Sequence, residues 1–244
     1  MNFRILHAVG LSAMLFVSAC CGQQALTRPV AVAVSADYID IKSLDLRLLL
    51  PDPPANDSDV TRAELAEILR IQAPRTAAQC GSAAVDAVVS PMRFGAALGL
   101  PEGFDLQRTP TFKRMSERML ALEGIVISGL KNSYARPRPF KLDPRVQPCI
   151  PRPPNDAYPS GHSTWAMMMT LILIDMVPER RSQLLQRETE FANNRVVGGV
   201  HYPSDVAAGK TAGTVLAALL LASPNFRADE APARAELRAV LALH

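Results

Sequence analysis

The chain has no C-x-x-C and no H-x-x-x-H spacing, which argues against a metal site built from cysteine or histidine. It has little excess charge of either sign: 26 Lys and Arg stand against 23 Asp and Glu, a formal net charge of +3. That balance argues against a nucleic-acid polymer as partner. No apolar run reaches ~20 uninterrupted residues, so the long apolar segments read as core helices and not as membrane spans. Alternating strand patterns of useful length and internal repeats are missing as well. What is there is 48% hydrophobic and 20% charged over 244 residues, the composition of a globular chain able to bury a substantial core. The expectation is an all-α, single-domain helical bundle. Charge is also unevenly spread. Lys131, Arg136, Arg138, Lys141, Arg145 and Arg152 lie close together, with Asp143 among them. Such a cluster is either a solvated face or a docking site for an anion.

The first residues are organised like a secretory signal. Arg4 precedes a short apolar run from Ile5 to Val17, and small residues follow. Residues 1–21 are expected as the signal and 22–244 as the mature domain. Val17-Ser18-Ala19-Cys20 resembles a bacterial lipobox. Two outcomes stay open: lipidation at Cys20, giving an outer-membrane lipoprotein, or ordinary cleavage, giving a periplasmic or secreted protein. Export changes the meaning of the remaining cysteines, Cys80 and Cys149. In an oxidising compartment they are expected as one disulfide, the alternative being two separate buried thiols.

Along the chain, 22–60 reads as irregular, with an extended proline-rich turn at 48–54. Thr61-x-x-Glu64 reads as a capping box that opens a helix ended by Pro74. An Ala-rich helix is expected from Thr76 to Val89. Thr109-Pro110 caps another, in which Phe112, Met115, Met119, Leu122 and Val126 recur on one face until near Lys131. Prolines then recur from Pro137 to Pro159, the pattern of a stiff loop. Ser163 to Val177 reads as a buried helix. Pro178 starts the next, Ser204 caps one that runs to Leu221, and a last helix covers about Pro232 to Leu243.

Three segments carry residues with chemistry. The first puts Lys131 at a helix end and Arg138 in the rigid loop after it. Arg offers a planar fork of donors to phosphate oxygens and Lys a point charge. The second, Pro159-Ser160-Gly161-His162, sits where a buried helix begins, so unpaired amides and the helix dipole favour an anion. The third places Arg195, His201 and Asp205 within eleven residues, interrupted by Gly198 and Gly199. A carboxylate four residues after a histidine can hold one ring nitrogen and aim the other outward. The glycines let the backbone bend so that Arg195 and His201 face one point. Together these groups suit phosphoryl transfer through a phosphohistidine: cations hold the oxygens, one imidazole attacks and another protonates the leaving oxygen.

The order Lys-x6-Arg-Pro, Pro-Ser-Gly-His, Arg-x5-His-x3-Asp resembles the type 2 phosphatidic acid phosphatase superfamily. Within it, the run from Tyr134 to Phe140, Tyr158, and the Leu49-Leu50-Pro51 region are similar to the secreted class A bacterial acid phosphatases. The resemblance spans roughly residues 40–228. It implies a helical bundle and metal-independent hydrolysis of small phosphomonoesters, with no cofactor and a homodimer left open. It implies His201 as nucleophile oriented by Asp205, and His162 as general acid. Lys131, Arg138 and Arg195 would clamp the phosphate, helped by the Ser160 hydroxyl and the Gly161 amide. Asn194 departs from the family pattern, which has Ser before the arginine. The rival readings are a lipid-anchored phosphatase acting on lipid phosphates or diphosphates, a vanadate-dependent haloperoxidase and a phosphate-binding protein.

Overall fold

The computed structural model describes residues 38–243, so the expected signal region and Cys20 lie outside the described residues. Among the described residues the regular elements are helices, and no strand occurs. Helix α1 (Asp59–Gln72) is capped by Ser58, whose hydroxyl accepts from the Thr61 amide at 3.2 Å. The expected capping box at Thr61 is therefore corrected. Ser58 already satisfies that amide, Thr61 donates its hydroxyl to the Ala55 carbonyl, and Glu64 turns away toward Arg136 and the Ser204 amide. Helix α2 (Ala77–Asp86) has a reciprocal box between Thr76 and Gln79 and stops three residues short of Val89. A single turn, α3 (Gly95–Leu98), ends at Gly99 with φ +87°.

Helix α4 (Pro110–Tyr134) runs past Lys131 and ends where Ala135 turns left-handed. Thr109 does not cap it; its hydroxyl goes to the Leu106 carbonyl. The cap comes from far along the chain, because the Glu236 carboxylate accepts the Thr111 and Phe112 amides at 2.8 and 3.0 Å. An anion at a helix N-terminus is favoured wherever in the chain it comes from. The proline-rich loop holds one short helix, α5 (Pro139–Leu142), where only irregular backbone was expected. Next come α6 (Gly161–Met176) and, after a 3₁₀ turn at Pro178–Arg180, α7 (Arg181–Val197).

Helix α8 (Pro203–Ala222) begins one residue before the expected cap. Tyr202 is the N-cap, and the Asp205 carboxylate accepts its amide at 2.9 Å. Helix α9 (Pro224–Val240) also starts earlier than expected, with Ser223 accepting the Phe226 amide. Pro232 is interior to α9 and not its start. Both Pro232 and Ala228, whose carbonyl proline cannot pair, are exposed to solvent, which lowers the cost of the missing bond.

The core forms where α6 crosses α8, with α4, α7 and α9 around them. Trp165, Phe94 and Phe191 pack together at its centre, their ring centroids 5.8–6.2 Å apart. By length and composition α8 is apolar enough to cross a membrane, with mean hydropathy 1.4; half of that window is buried within the bundle. The crossing is close because α8 presents Gly209 and Gly213. A Cβ at Gly213 would lie 2.3 Å from the Thr164 carbonyl oxygen, and one at Gly209 2.5 Å from the Ser160 carbonyl oxygen. Both neighbours are backbone and cannot swing aside.

Gly213→Ala is expected to destabilise the fold by about 1–3 kcal/mol through overpacking. Gly129, inside α4, has nothing within 4 Å of its missing Cβ. There the same change should stabilise by about 0.5–1 kcal/mol through helix propensity. Urea unfolding of the two variants checks the prediction, and shifts of the same sign would refute the close-crossing argument.

Candidate active site

The residues expected from the three motifs come from different elements: Lys131 from α4, Arg138 from the loop before α5, Ser160 to His162 from the start of α6, Arg195 from the last turn of α7, His201 and Asp205 from the entry to α8. Lys131, Arg138, Gly161, His162, Arg195 and His201 line one cavity of ≈ 280 Å³. Ser160 and Asp205 stand behind its wall. Ser160 is fully buried and caps α6, its hydroxyl oxygen accepting the Ser163 amide at 3.3 Å and the Ser163 hydroxyl at 3.0 Å.

His201 is 1% exposed. Its Nδ1 lies 3.1 Å from Asp205 Oδ2 and its Nε2 2.7 Å from Arg138 Nη1. A guanidinium has no acceptor and an ionised carboxylate no donor, so the tautomer follows: Nδ1 carries the proton and Nε2 the lone pair. Burial, followed by the charges of Arg138, Lys131 and Arg195, holds the His201 pKa well below the usual histidine value. The imidazole thus stays neutral in acid. Asp205 receives three donors: the His201 ring, the Tyr202 amide and Arg136 Nη1 at 2.6 Å. Burial raises its pKa and Arg136 opposes the rise. Three donors, one of them a buried guanidinium, stabilise the ionised carboxylate against that rise.

Lys131 and Arg138 are held largely by carbonyls, which fix them without cancelling their charge. Lys131 Nζ donates to the Asp156 and Ala157 carbonyls at 2.7 and 3.0 Å, keeping one of its three protons for the cavity. Burial and then Arg138 lower its pKa to about 7. Arg138 spends four of its five donors on Asn155, the Val200 carbonyl and His201. Arg195 is 2% exposed, and its Nε and Nη1 have no partner among the described residues. Burial, then Arg138, lowers its pKa to about 10. Unpaired guanidinium N–H groups in a buried wall are costly unless an anion completes them.

His162 lies against Phe191 with its Nε2 3.1 Å from the Ala87 carbonyl oxygen, so Nε2 is the protonated nitrogen of the neutral ring. Burial and Arg195 lower its pKa to about 3, and the hydrogen bond to Ala87 opposes that. The glycines after Arg195 serve two needs. Gly199 takes φ +75°, which bends the chain toward His201. Gly198 gives room to Ile150, which a Cβ would meet at 2.6 Å, and its carbonyl accepts the Cys149 amide at 3.3 Å. Cys149 is bonded to Cys80 with a Cα–Cα separation of 5.7 Å, so the two are not separate thiols and the bridge ties the proline-rich loop to α2. Asn194 binds Asp86 Oδ2 at 2.7 Å, linking α7 to α2 beside Arg195.

Two residues were missed as site residues in the sequence. Arg136 is 2% exposed, pairs with Asp205 and with Glu64 at 2.9 Å, and lies 3.9 Å over the Tyr202 ring. Its place in the Tyr-x-Arg-x-Arg-Pro-Phe run was the available signal. Glu123, on α4, lines the cavity and gave no signal beyond its place in an amphipathic helix.

Residues 118–229 match the family model described as the PAP2 superfamily. The non-specific acid phosphatase of Salmonella typhimurium is 31% identical over 204 residues, covering 80% of this chain and 81% of that protein. The chain belongs to the PAP2 superfamily, among its bacterial acid phosphatases. An acid phosphatase of Zymomonas mobilis is 33% identical over 138 residues, 54% of this chain and 52% of its own length. A bacterial vanadium-dependent iodoperoxidase has a similar fold, with a TM-score of 0.57 at 19% identity over 71% of this chain and 52% of that longer one. As a member of this family the protein is a phosphatase, and its substrates are small phosphate esters.

Proposed function

We propose that this PAP2 phosphatase is an exported enzyme that hydrolyses phosphomonoesters through a phosphohistidine at His201. The observation that carries the reading is one cavity in which Lys131, Arg138 and Arg195 surround a neutral imidazole whose Nε2 bears no proton. The three cations hold the phosphoryl oxygens, and a bound oxygen takes over the Arg138 proton now shared with Nε2. The freed lone pair attacks phosphorus and the ester P–O bond breaks. Asp205 balances the charge that develops on the ring, itself held by Arg136.

His162 protonates the departing alkoxide. Before an anion binds, its low pKa keeps it neutral, with Nε2–H committed to Ala87. A bound dianion offsets the neighbouring cations and allows Nδ1 to take up a proton. Water then attacks the phosphohistidine, His162 accepts its proton, the P–N bond breaks and phosphate leaves. The Lys131 pKa of about 7 adds a pH sense: as pH rises through that value the lysine loses its charge and anion affinity falls. Activity is expected to be greatest on the acid side.

The test is a panel of phosphomonoesters assayed at acid and neutral pH, with EDTA and with vanadate. Guanidinium and ammonium groups supply the positive charge here, so EDTA is expected to leave the rates unchanged. Vanadate is expected to inhibit competitively, because a trigonal-bipyramidal vanadate on His201 mimics the transition state. Activity lost in EDTA and restored by a divalent cation would overturn this.

A further inference from the structure

Glu123 is an acid in a cavity whose other titratable side chains are all bases. It lies eight residues before Lys131 on α4, with Ile127 between them, and all three line the cavity. At ~1.5 Å of rise per residue this puts Glu123 roughly 12 Å along the helix from Lys131, at the opposite end of the cavity wall. It is 7% exposed, and no hydrogen bond or ion pair joins its carboxyl to another described residue. Its Oε1 approaches the first residue of α6 so closely that a Cβ at Gly161 would lie 3.0 Å away. A carboxylate with no partner, nine-tenths buried, is disfavoured, whereas the neutral acid is not.

We propose that Glu123 sets the anion affinity of this cavity through its own protonation: as a neutral acid it admits a tetrahedral dianion beside Gly161, and as a carboxylate it repels one. This regulation of the site rests on the phosphate-binding reading above. The titratable and charged groups on the same cavity are Lys131 from α4, Arg138, His162 from α6, Arg195 from α7 and His201. Burial raises the Glu123 pKa to about 8 and Lys131 opposes the rise. Below that pH the acid is neutral and adds no negative charge to the cavity. Above it, each bound dianion must bring a proton back to Glu123.

Sulfate suits the test, since it is a tetrahedral dianion at every pH used and is not hydrolysed. Its binding to the wild-type protein, Glu123→Gln and Glu123→Leu is measured by calorimetry at pH 6 and pH 9, in buffers of different ionisation enthalpy. At pH 6 the three proteins should bind with similar affinity. Between pH 6 and pH 9 the wild type should weaken about tenfold more than either variant and take up about one more proton per sulfate at pH 9. Equal weakening and equal proton uptake in all three would overturn the proposal while leaving the anion site intact. Failure of sulfate to bind any of them would instead remove the phosphate-binding reading, and this one with it. Leu carries no proton and no polar group, so agreement between Gln and Leu assigns the effect to ionisation and not to shape.

Discussion

His201→Ala is expected to hydrolyse neither alkyl nor aryl phosphates, with kcat/KM reduced on the order of 10⁴-fold or more. The imidazole is proposed to make the bond to phosphorus, so no property of the leaving group can compensate for its loss. Other candidates to replace it are poorly placed. Asp205 is fully buried behind the ring, with both oxygens occupied by Arg136, Tyr202 and His201. His162 is held by its Nε2 on the Ala87 carbonyl and is proposed to act through Nδ1 as the proton donor. The clamp of Lys131, Arg138 and Arg195 survives the substitution, so sulfate should still bind and the melting temperature should stay near that of the wild type. Quenching wild-type turnover of a ³²P-labelled ester in alkali, where phosphohistidine survives, should leave label on the protein. The variant should carry none. If His201→Ala retains activity on p-nitrophenyl phosphate within about tenfold of wild type, His201 is not the nucleophile.

Much of this architecture is readable in the residues because local signals and burial agree. The apolar stretch from Ser163 to Val177 has almost no polar interruption, and it becomes α6 at the centre of the bundle. The amphipathic face of Phe112, Met115, Met119 and Leu122 becomes the buried side of α4. Helix starts were harder, because a cap is a competition among neighbours. Thr61 and Glu64 have the spacing of a capping box, yet Ser58 reaches the amide first. At α4 the winning group is Glu236, which no local window contains. The motif residues could be listed from sequence, but their division of labour could not. Arg136 and Arg138 are two residues apart in one loop; one is committed to Asp205 and Glu64, the other faces the cavity. Ser160 has the position expected of a phosphate donor, and it is fully buried with its oxygen capping the helix it starts. Glu123 is legible only in three dimensions, since its significance lies in what it faces.

His162→Ala should separate substrates by their leaving groups. The proposed role of His162 is to give one proton to the departing oxygen, a contribution of about 10²–10⁴-fold where that oxygen needs it. Glycerol phosphate releases a strongly basic alkoxide, so its hydrolysis should fall by that factor. p-Nitrophenyl phosphate releases a phenolate stable without a proton, so formation of the phosphohistidine should slow by about tenfold or less. The second half of the reaction has no such escape. Water must lose a proton as it attacks the phosphohistidine, and the variant lacks the base proposed to accept it. With the activated ester the variant should therefore give a burst of nitrophenolate, one per active site, then a slow steady rate. Label from the corresponding ³²P ester should accumulate on His201 and be recoverable by alkaline quench. A merely structural role would lower both substrates alike and give no burst. If His162→Ala instead loses as much activity on the activated ester as on glycerol phosphate, with no trapped intermediate, His162 is not the proton donor. The cavity would then have to protonate the leaving group from elsewhere, and the neutral carboxyl of Glu123, facing Gly161 in the same wall, is the next group to replace.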